Sequence, residues 1–139
     1  LEHQATIEPI QGGYLMRGMD NLRKMRLNKI KPAIVWVEMM PMQEWTKQYT
    51  NEPGSSVDIH LDDADIKRIE LEDLRALVGL TVAVNGPNTD ETERVARACF
   101  KAGASVVQAV FYDLSNPHNV QVVKGLRISS EGEKTVWQQ

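Results

Sequence analysis

The chain is short of cysteine and of long apolar runs, and each shortage excludes a class of protein. Cys99 is the only cysteine among 139 residues, so neither an internal disulfide framework nor a multi-cysteine zinc site can form. No apolar run approaches the roughly 18 residues that a membrane-spanning helix requires. We therefore expect no membrane association, and we expect a cytoplasmic location because a single cysteine fits a reducing compartment.

The composition is that of an ordinary globular domain, with 42% hydrophobic and 25% charged residues. A chain of this length can bury a core without disulfides or metals. No internal repeat, low-complexity tract or long linker divides it, so we predict one domain over residues 1–139. The chain begins with Leu1 rather than methionine, which leaves open that residues 1–15 are vector-derived or an upstream extension.

The firmest structural signal is a strand, a helix and a strand within residues 80–112. Leu80–Val84 and Ser105–Tyr112 are apolar runs typical of strands. Between them, Asp90–Ala102 has an apolar stripe at helical spacing, and its first residues, Asp90–Glu93, have the arrangement of a capping box. This order predicts a right-handed parallel βαβ unit, with a tight Gly-Pro turn in the loop between the first strand and the helix.

Other segments complete a mixed sheet. Spacings of three and four predict an amphipathic helix over about Tyr14–Ile30, and Ala33–Val37 is typical of an interior strand. Val57–Leu61 alternates as a half-exposed strand does, and Asn119–Ser130 with Lys134–Trp137 predicts a C-terminal hairpin. The predicted fold class is α/β: a compact single domain whose mixed sheet contains the βαβ unit and is covered by two main helices.

The acidic stretch before the βαβ unit is ambiguous. Asp62–Asp65 predicts a solvated loop or a helix start rather than a magnesium site, because adjacent side chains point apart. Ile69–Leu71 favours a strand, whereas Leu71–Leu77 fits a helical turn that ends at Gly79. For residues 69–77 the strand interpretation and the helical interpretation both stay open.

Two loops at strand ends contain the densest polar groups, and ligands of open α/β sheets bind at such ends. Against a phosphate site, the first loop has one glycine and no Gly-Lys-Ser/Thr ending, and three acids in the following helical turn repel anions. A structural turn is therefore favoured there. If a ligand site exists, its residues are Asn85, Asn88, Asp90, Asp113 and His118.

The remaining reactive side chains favour structural roles. Cys99 falls on the apolar stripe of its helix, so we expect it in the core rather than as a nucleophile. The three histidines, His3, His60 and His118, are far apart in sequence, and no serine lies in a nucleophile elbow. We therefore predict no catalytic residue, no metal and no cofactor, and an enzyme is not favoured.

Charge is distributed unevenly. Residues 17–31 have a net charge of +5, whereas residues 57–93 have a net charge of −7. Such blocks can dock on each other within the fold or across a homodimer. The basic block also suggests a nucleic-acid contact through Arg17, Arg23 and Lys24, although its charge is spread around the predicted helix and no aromatic platform accompanies it.

Three functional hypotheses follow. The first is a non-catalytic binding or assembly module, a homo-oligomer or partner of another protein, that uses complementary charges and exposed tryptophans among Trp36, Trp45 and Trp137. The second is an α/β enzyme or binding domain for a small ligand or nucleotide, with its site near residues 85–90 and 113–118. The third is a nucleic-acid accessory protein that uses the basic helix over residues 17–31.

Overall fold

The computed structural model describes residues 7–10, 13–17, 22, 32–39 and 56–138, which contain one eight-stranded mixed sheet. The strands are β1 Ile7–Ile10, β2 Gly13–Arg17, β3 Ile34–Glu38, β4 Ser56–His60, β5 Thr81–Pro87, β6 Val106–Asp113, β7 Gln121–Ser129 and β8 Gly132–Gln138. The helices are α1 Asp63–Arg68, a 3₁₀ helix Leu71–Leu77, and α2 Asp90–Lys101. No helix in these ranges is long and apolar enough to cross a bilayer.

The strand order is β1-β2-β4-β3-β5-β6-β7-β8. The five strands from β2 to β6 in that order are parallel, while β1 and the β7–β8 hairpin are antiparallel to their neighbours. The predicted α/β class, the parallel βαβ unit (β5–α2–β6) and the C-terminal hairpin are therefore confirmed.

The core lies between the sheet and α2. On β5 and β6, Val82 and Val84 are in register with Val107 and Ala109, and all four are buried. Cys99 of α2 belongs to the same core and is 0% exposed. Its burial raises the pKa of the thiol to about 12, so the thiolate that a nucleophile needs does not form near neutral pH. The predicted structural role of Cys99 is confirmed.

The start of α2 differs from the predicted capping box. Thr89, not Asp90, is the N-cap residue, and its Oγ1 accepts a hydrogen bond from the N–H of Thr92 at 3.4 Å. Glu93 does not return to the cap, because it forms ion pairs with Lys124 and Arg97. The helix is therefore capped one residue earlier, and Glu93 instead links α2 to β7.

The predicted Gly-Pro turn is also wrong, because β5 continues through Gly86 and Pro87. Pro87 is in register with Tyr112 of β6. Gly86 lies under the first turn of α2, where an added Cβ would be 2.5 Å from Oγ1 of buried Thr92. The glycine therefore permits close approach of the helix to the strand rather than a turn.

The predicted helix Tyr14–Ile30 is wrong at its start, where Gly13–Arg17 forms β2. This strand pairs with β4, some forty residues further along the chain, a non-local contact that local spacing does not report. Leu22 is helical, buried and part of the core, whereas residues 18–21 and 23–31 lie outside the described residues.

The acidic stretch Asp62–Asp65 is a helix start, as one interpretation predicted. The N–H of Asp65 donates to Oδ1 of Asp62 at 2.8 Å, and the N–H of Asp62 donates to Oδ2 of Asp65 at 3.2 Å. The first of these bonds lowers the pKa of Asp62. In the described ranges no group of three His, Cys, Asp or Glu side chains is placed to hold a metal. The 3₁₀ helix that follows shows that the strand interpretation of Ile69–Leu71 is wrong.

Candidate functional site

A polar cluster lies at the carboxyl ends of the parallel strands. Glu38 is the last residue of β3 and is in register with His60, the last residue of β4, and with Asn85 of β5. In-register residues of parallel strands point to the same face of a sheet, so these three side chains form one row across it. Glu38 is 2% exposed and Asn85 is 7% exposed.

The centre of the cluster is a buried side-chain hydrogen bond. Nδ2 of Asn85 donates to Oε1 of Glu38 at 2.9 Å, across 47 residues of sequence. Backbone bonds hold the same strand ends together: the N–H of Met39 donates to the carbonyl of Asn85 at 2.8 Å, and that of Leu61 donates to the carbonyl of Glu38 at 2.9 Å. Burial of a carboxyl group requires such partners, so the edge is built around Glu38.

Tyr112 of β6 lies on the same face as this row, two residues further toward the carboxyl ends of the strands. It lies two residues beyond Val110, the register partner of Asn85, and is therefore on the same face of the sheet. Partial burial, and secondly the charge of Glu38, raise the pKa of Tyr112 above its ordinary value. The half-buried phenol consequently stays protonated near neutral pH and can both donate and accept a hydrogen bond.

Trp36 adds a buried donor on this face. It lies on β3 two residues before Glu38, in register with Ala83 of β5. Its indole Nε1 is buried and has no hydrogen-bond partner within the described residues. An unsatisfied buried donor costs about 1–3 kcal/mol, which an added acceptor would recover.

The structure brings only some of the predicted ligand residues together. Asn85 belongs to the cluster, and exposed Asn88 lies beside it, because its N–H donates to the carbonyl of Tyr112 at 2.9 Å. Asp113 follows directly, and its Oδ1 accepts from the N–H of Ser115 at 2.9 Å, which lowers the pKa of Asp113 and keeps it ionised. These contacts place the loops after β5 and β6 side by side.

The other two predicted ligand residues are oriented elsewhere. His118 is exposed, in a turn where its N–H donates to Oδ1 of Asn116 at 3.0 Å. Asp90 lines an open groove of about 710 Å³ between the 3₁₀ helix and α2. In that groove Glu93 is already ion-paired, and Nη2 of Arg94 donates to the carbonyl of Ile66 at 2.8 Å. Glu93 and Arg94 are therefore already bound to other groups of the protein, rather than free to converge on a ligand.

Sequence reasoning did not select Glu38, His60 or Tyr112. Each ends, or nearly ends, a strand, which is the one local signal that they share. Their proximity depends on the strand order β4-β3-β5-β6, which joins segments far apart in the chain.

The basic residues predicted to contact nucleic acid are only partly placed. The backbone of Arg17 ends β2, in register with His60. Arg23, Lys24 and Trp45 lie outside the described residues, so docking of the basic block and nucleic-acid binding stay predictions.

Comparison with known proteins identifies no relative. The chain matches no protein-family model, and no curated protein or solved structure matches it significantly. A functional assignment therefore rests on the geometry and chemistry of the site.

Proposed function

We propose that this protein binds a small, uncharged, hydroxyl-bearing molecule at the carboxyl edge of its parallel strands, with Tyr112 at the centre of the site. The observation that carries the proposal is the buried hydrogen bond between Asn85 and Glu38, beside the half-buried phenol. Open α/β sheets bind ligands at this edge, and a small number of placed polar groups on an apolar framework is typical of small-molecule sites.

The aromatic residues support this ligand class. Tyr112 offers a ring face for C–H groups and a protonated phenol for a hydroxyl. On the same face, the Nε1–H of Trp36 lacks an acceptor among the described residues. A hydroxyl group can donate to a carboxylate and accept from an N–H or O–H, so it suits a site with both kinds of partner.

Charge argues against an anionic ligand, and so against the nucleotide of the second hypothesis. Asp113 at the end of β6 is ionised, and α2 begins at the end of β5 with Asp90, Glu91 and Glu93. These carboxylates offset the positive end of the helix dipole and repel phosphate groups. An uncharged ligand carries no such penalty.

Amide chemical shifts measured by NMR test the proposal on the intact chain. Glycerol, inositol and glucose are titrated, with glycerol 3-phosphate and glucose 6-phosphate as their anionic counterparts. We expect the uncharged probes to shift the amides of Asn85, Gly86, Asn88 and residues 111–113. Shifts confined to other residues, or none with any probe, would reject the site, whereas a preference for the phosphates would reject the ligand class alone.

Two conservative variants then test the residues. Tyr112→Phe keeps the ring but removes the hydroxyl, and Trp36→Phe keeps an aromatic ring but removes the buried Nε1–H donor, so each removes one proposed ligand contact. We expect each to raise the Kd about tenfold, since a hydrogen bond to a charged or buried group contributes roughly 1.5 kcal/mol. Glu131→Gln, at an exposed acid in the β7–β8 turn far from the site, is the control and should leave the Kd unchanged.

A further inference from the structure

The outer side of α2 carries a stripe whose residues complement one another when the helix is reversed. Glu91, Arg94, Ala98 and Lys101 follow at spacings of three, four and three, so they lie along one side of the helix. Glu91, Arg94 and Lys101 are exposed, and Ala98 is partly buried. From the N-terminal to the C-terminal end of α2, the stripe has an acidic side chain (Glu91), a long basic one (Arg94), a small one (Ala98) and a second basic one (Lys101).

The complementarity concerns both charge and size. If a second α2 lies antiparallel about a two-fold axis, Glu91 meets Lys101 of the other copy at both ends of the contact. Arg94 then meets Ala98 of the other copy, a long side chain over a small one, again twice. A two-fold interface requires such a self-complementary surface, because each copy presents the same patch.

The surroundings of the stripe fit a helix that packs against it. The open groove between α2 and the 3₁₀ helix runs beside Arg94, Ala98 and Lys101. Leu71, at the start of the 3₁₀ helix, lines the groove and is 42% exposed. Arg94 is held down by its bond to the carbonyl of Ile66, so its alkyl stem, rather than a mobile cation, forms part of the surface.

We propose that this stripe is a homodimer interface, in which α2 of a second copy packs antiparallel on it with Glu91 of each copy paired to Lys101 of the other. The basic block considered from the sequence takes no part in this surface, and the acidic block contributes only Glu91. The stripe lies on the flank of α2 beside the 3₁₀ helix, with Ala98 at its inner margin against the core, and it is independent of the proposed ligand site.

Charge exchange across the stripe tests the register. Sedimentation equilibrium of the intact chain gives the dimer Kd for the native protein, Lys101→Glu, and the double variant Glu91→Lys with Lys101→Glu. Lys101→Glu puts an acid opposite Glu91 at both ends of the contact. We expect this repulsion to raise the dimer Kd at least about tenfold. The double variant restores opposite charges and should return the Kd to near the native value. Lys134→Glu, the same change at an exposed lysine of β8, is the control and should have no effect.

The double variant also separates association from helix stability. It puts a lysine at the N-terminus of α2 and a glutamate at its C-terminus, both unfavourable to the helix dipole. If the substitutions act only on helix stability, the double variant should be the most impaired of the variants. The proposed interface predicts instead that its dimer Kd returns to near the native value. A native chain that stays monomeric at high concentration, or a double variant that does not recover, overturns the proposal, and circular dichroism verifies that each variant is folded.

Discussion

Asn85 and Gly86 are neighbours on β5, yet they serve two regions of the molecule that are built in different ways. Gly86 faces α2 and belongs to the βαβ unit, whose parts are close in sequence and whose interior is small and apolar. Asn85 faces the other side and belongs to the polar cluster, whose members come from β3, β4, β5 and β6. The βαβ unit is specified by the local sequence pattern, whereas the polar cluster forms only when the strands are paired in their final order.

Loss of the amide at position 85 is the largest expected effect. Asn85→Leu removes the donor to Oε1 of Glu38 while it keeps the number and branching of the side-chain heavy atoms. Hydrogen bonds to charged groups contribute about 1.5–3 kcal/mol, so we expect the free energy of unfolding in urea to fall by about 3 kcal/mol.

Asn85→Asp separates the hydrogen bond from packing. The two carboxyl groups repel when both are ionised, whereas one shared proton restores a donor. Asn85→Asp should therefore be strongly destabilised at about pH 7 and recover in large part at about pH 4, whereas Asn85→Leu, which leaves a single buried carboxyl group to protonate, should recover less. A loss of stability that is equal for both variants at both pH values would show that the bond to Glu38 contributes little.

On the other face of β5, Gly86→Ala tests the close approach of α2. The new Cβ would lie 2.5 Å from Oγ1 and 2.8 Å from Cγ2 of Thr92, which is fully buried and cannot move away freely. Overpacking of this kind costs about 1–3 kcal/mol, so we expect a loss of about 2 kcal/mol in urea unfolding.

A double-mutant cycle with Thr92→Ala attributes that loss to the contact. In the Thr92→Ala background both crowded atoms are absent, so Gly86→Ala should cost less there than in the native protein. An equal cost in both backgrounds would mean that crowding against Oγ1 and Cγ2 of Thr92 is not the cause of the loss.

This contrast explains what sequence could predict. The β5–α2–β6 unit and the β7–β8 hairpin follow from apolar spacing and turn residues that act within a few positions. The error at Tyr14–Arg17 arose because residues with helical spacing pair instead with β4. The bounds near Gly86 and Thr89 were wrong because the strand and the cap depend on how closely α2 packs on β5.

The candidate site was predictable only in part. The loops after β5 and β6 were expected to meet, and the bond from Asn88 to Tyr112 joins them. Glu38 and His60 were not predicted as site residues, because the sequence around a polar residue at a strand end does not indicate which strands will lie beside it. That information lies in the pairing of β3 with both β4 and β5.

The smallest expected effect concerns the exposed attachment of the hairpin to α2. Glu93 forms ion pairs with Lys124 at 2.8 Å and with Arg97 at 3.3 Å, and these contacts, Lys124 first, lower its pKa. Because the pKa is lowered on folding, the stabilisation is complete above the unfolded-state value and is lost as the pH falls through the folded-state value. Glu93 is about one-third exposed, so Glu93→Gln should lower the free energy of unfolding by only about 0.5 kcal/mol at about pH 7. The difference in the free energy of unfolding between the native protein and Glu93→Gln should disappear at about pH 2 and shrink in high salt. A difference that persists at low pH would show that packing of the side chain, rather than its charge, holds the hairpin to α2.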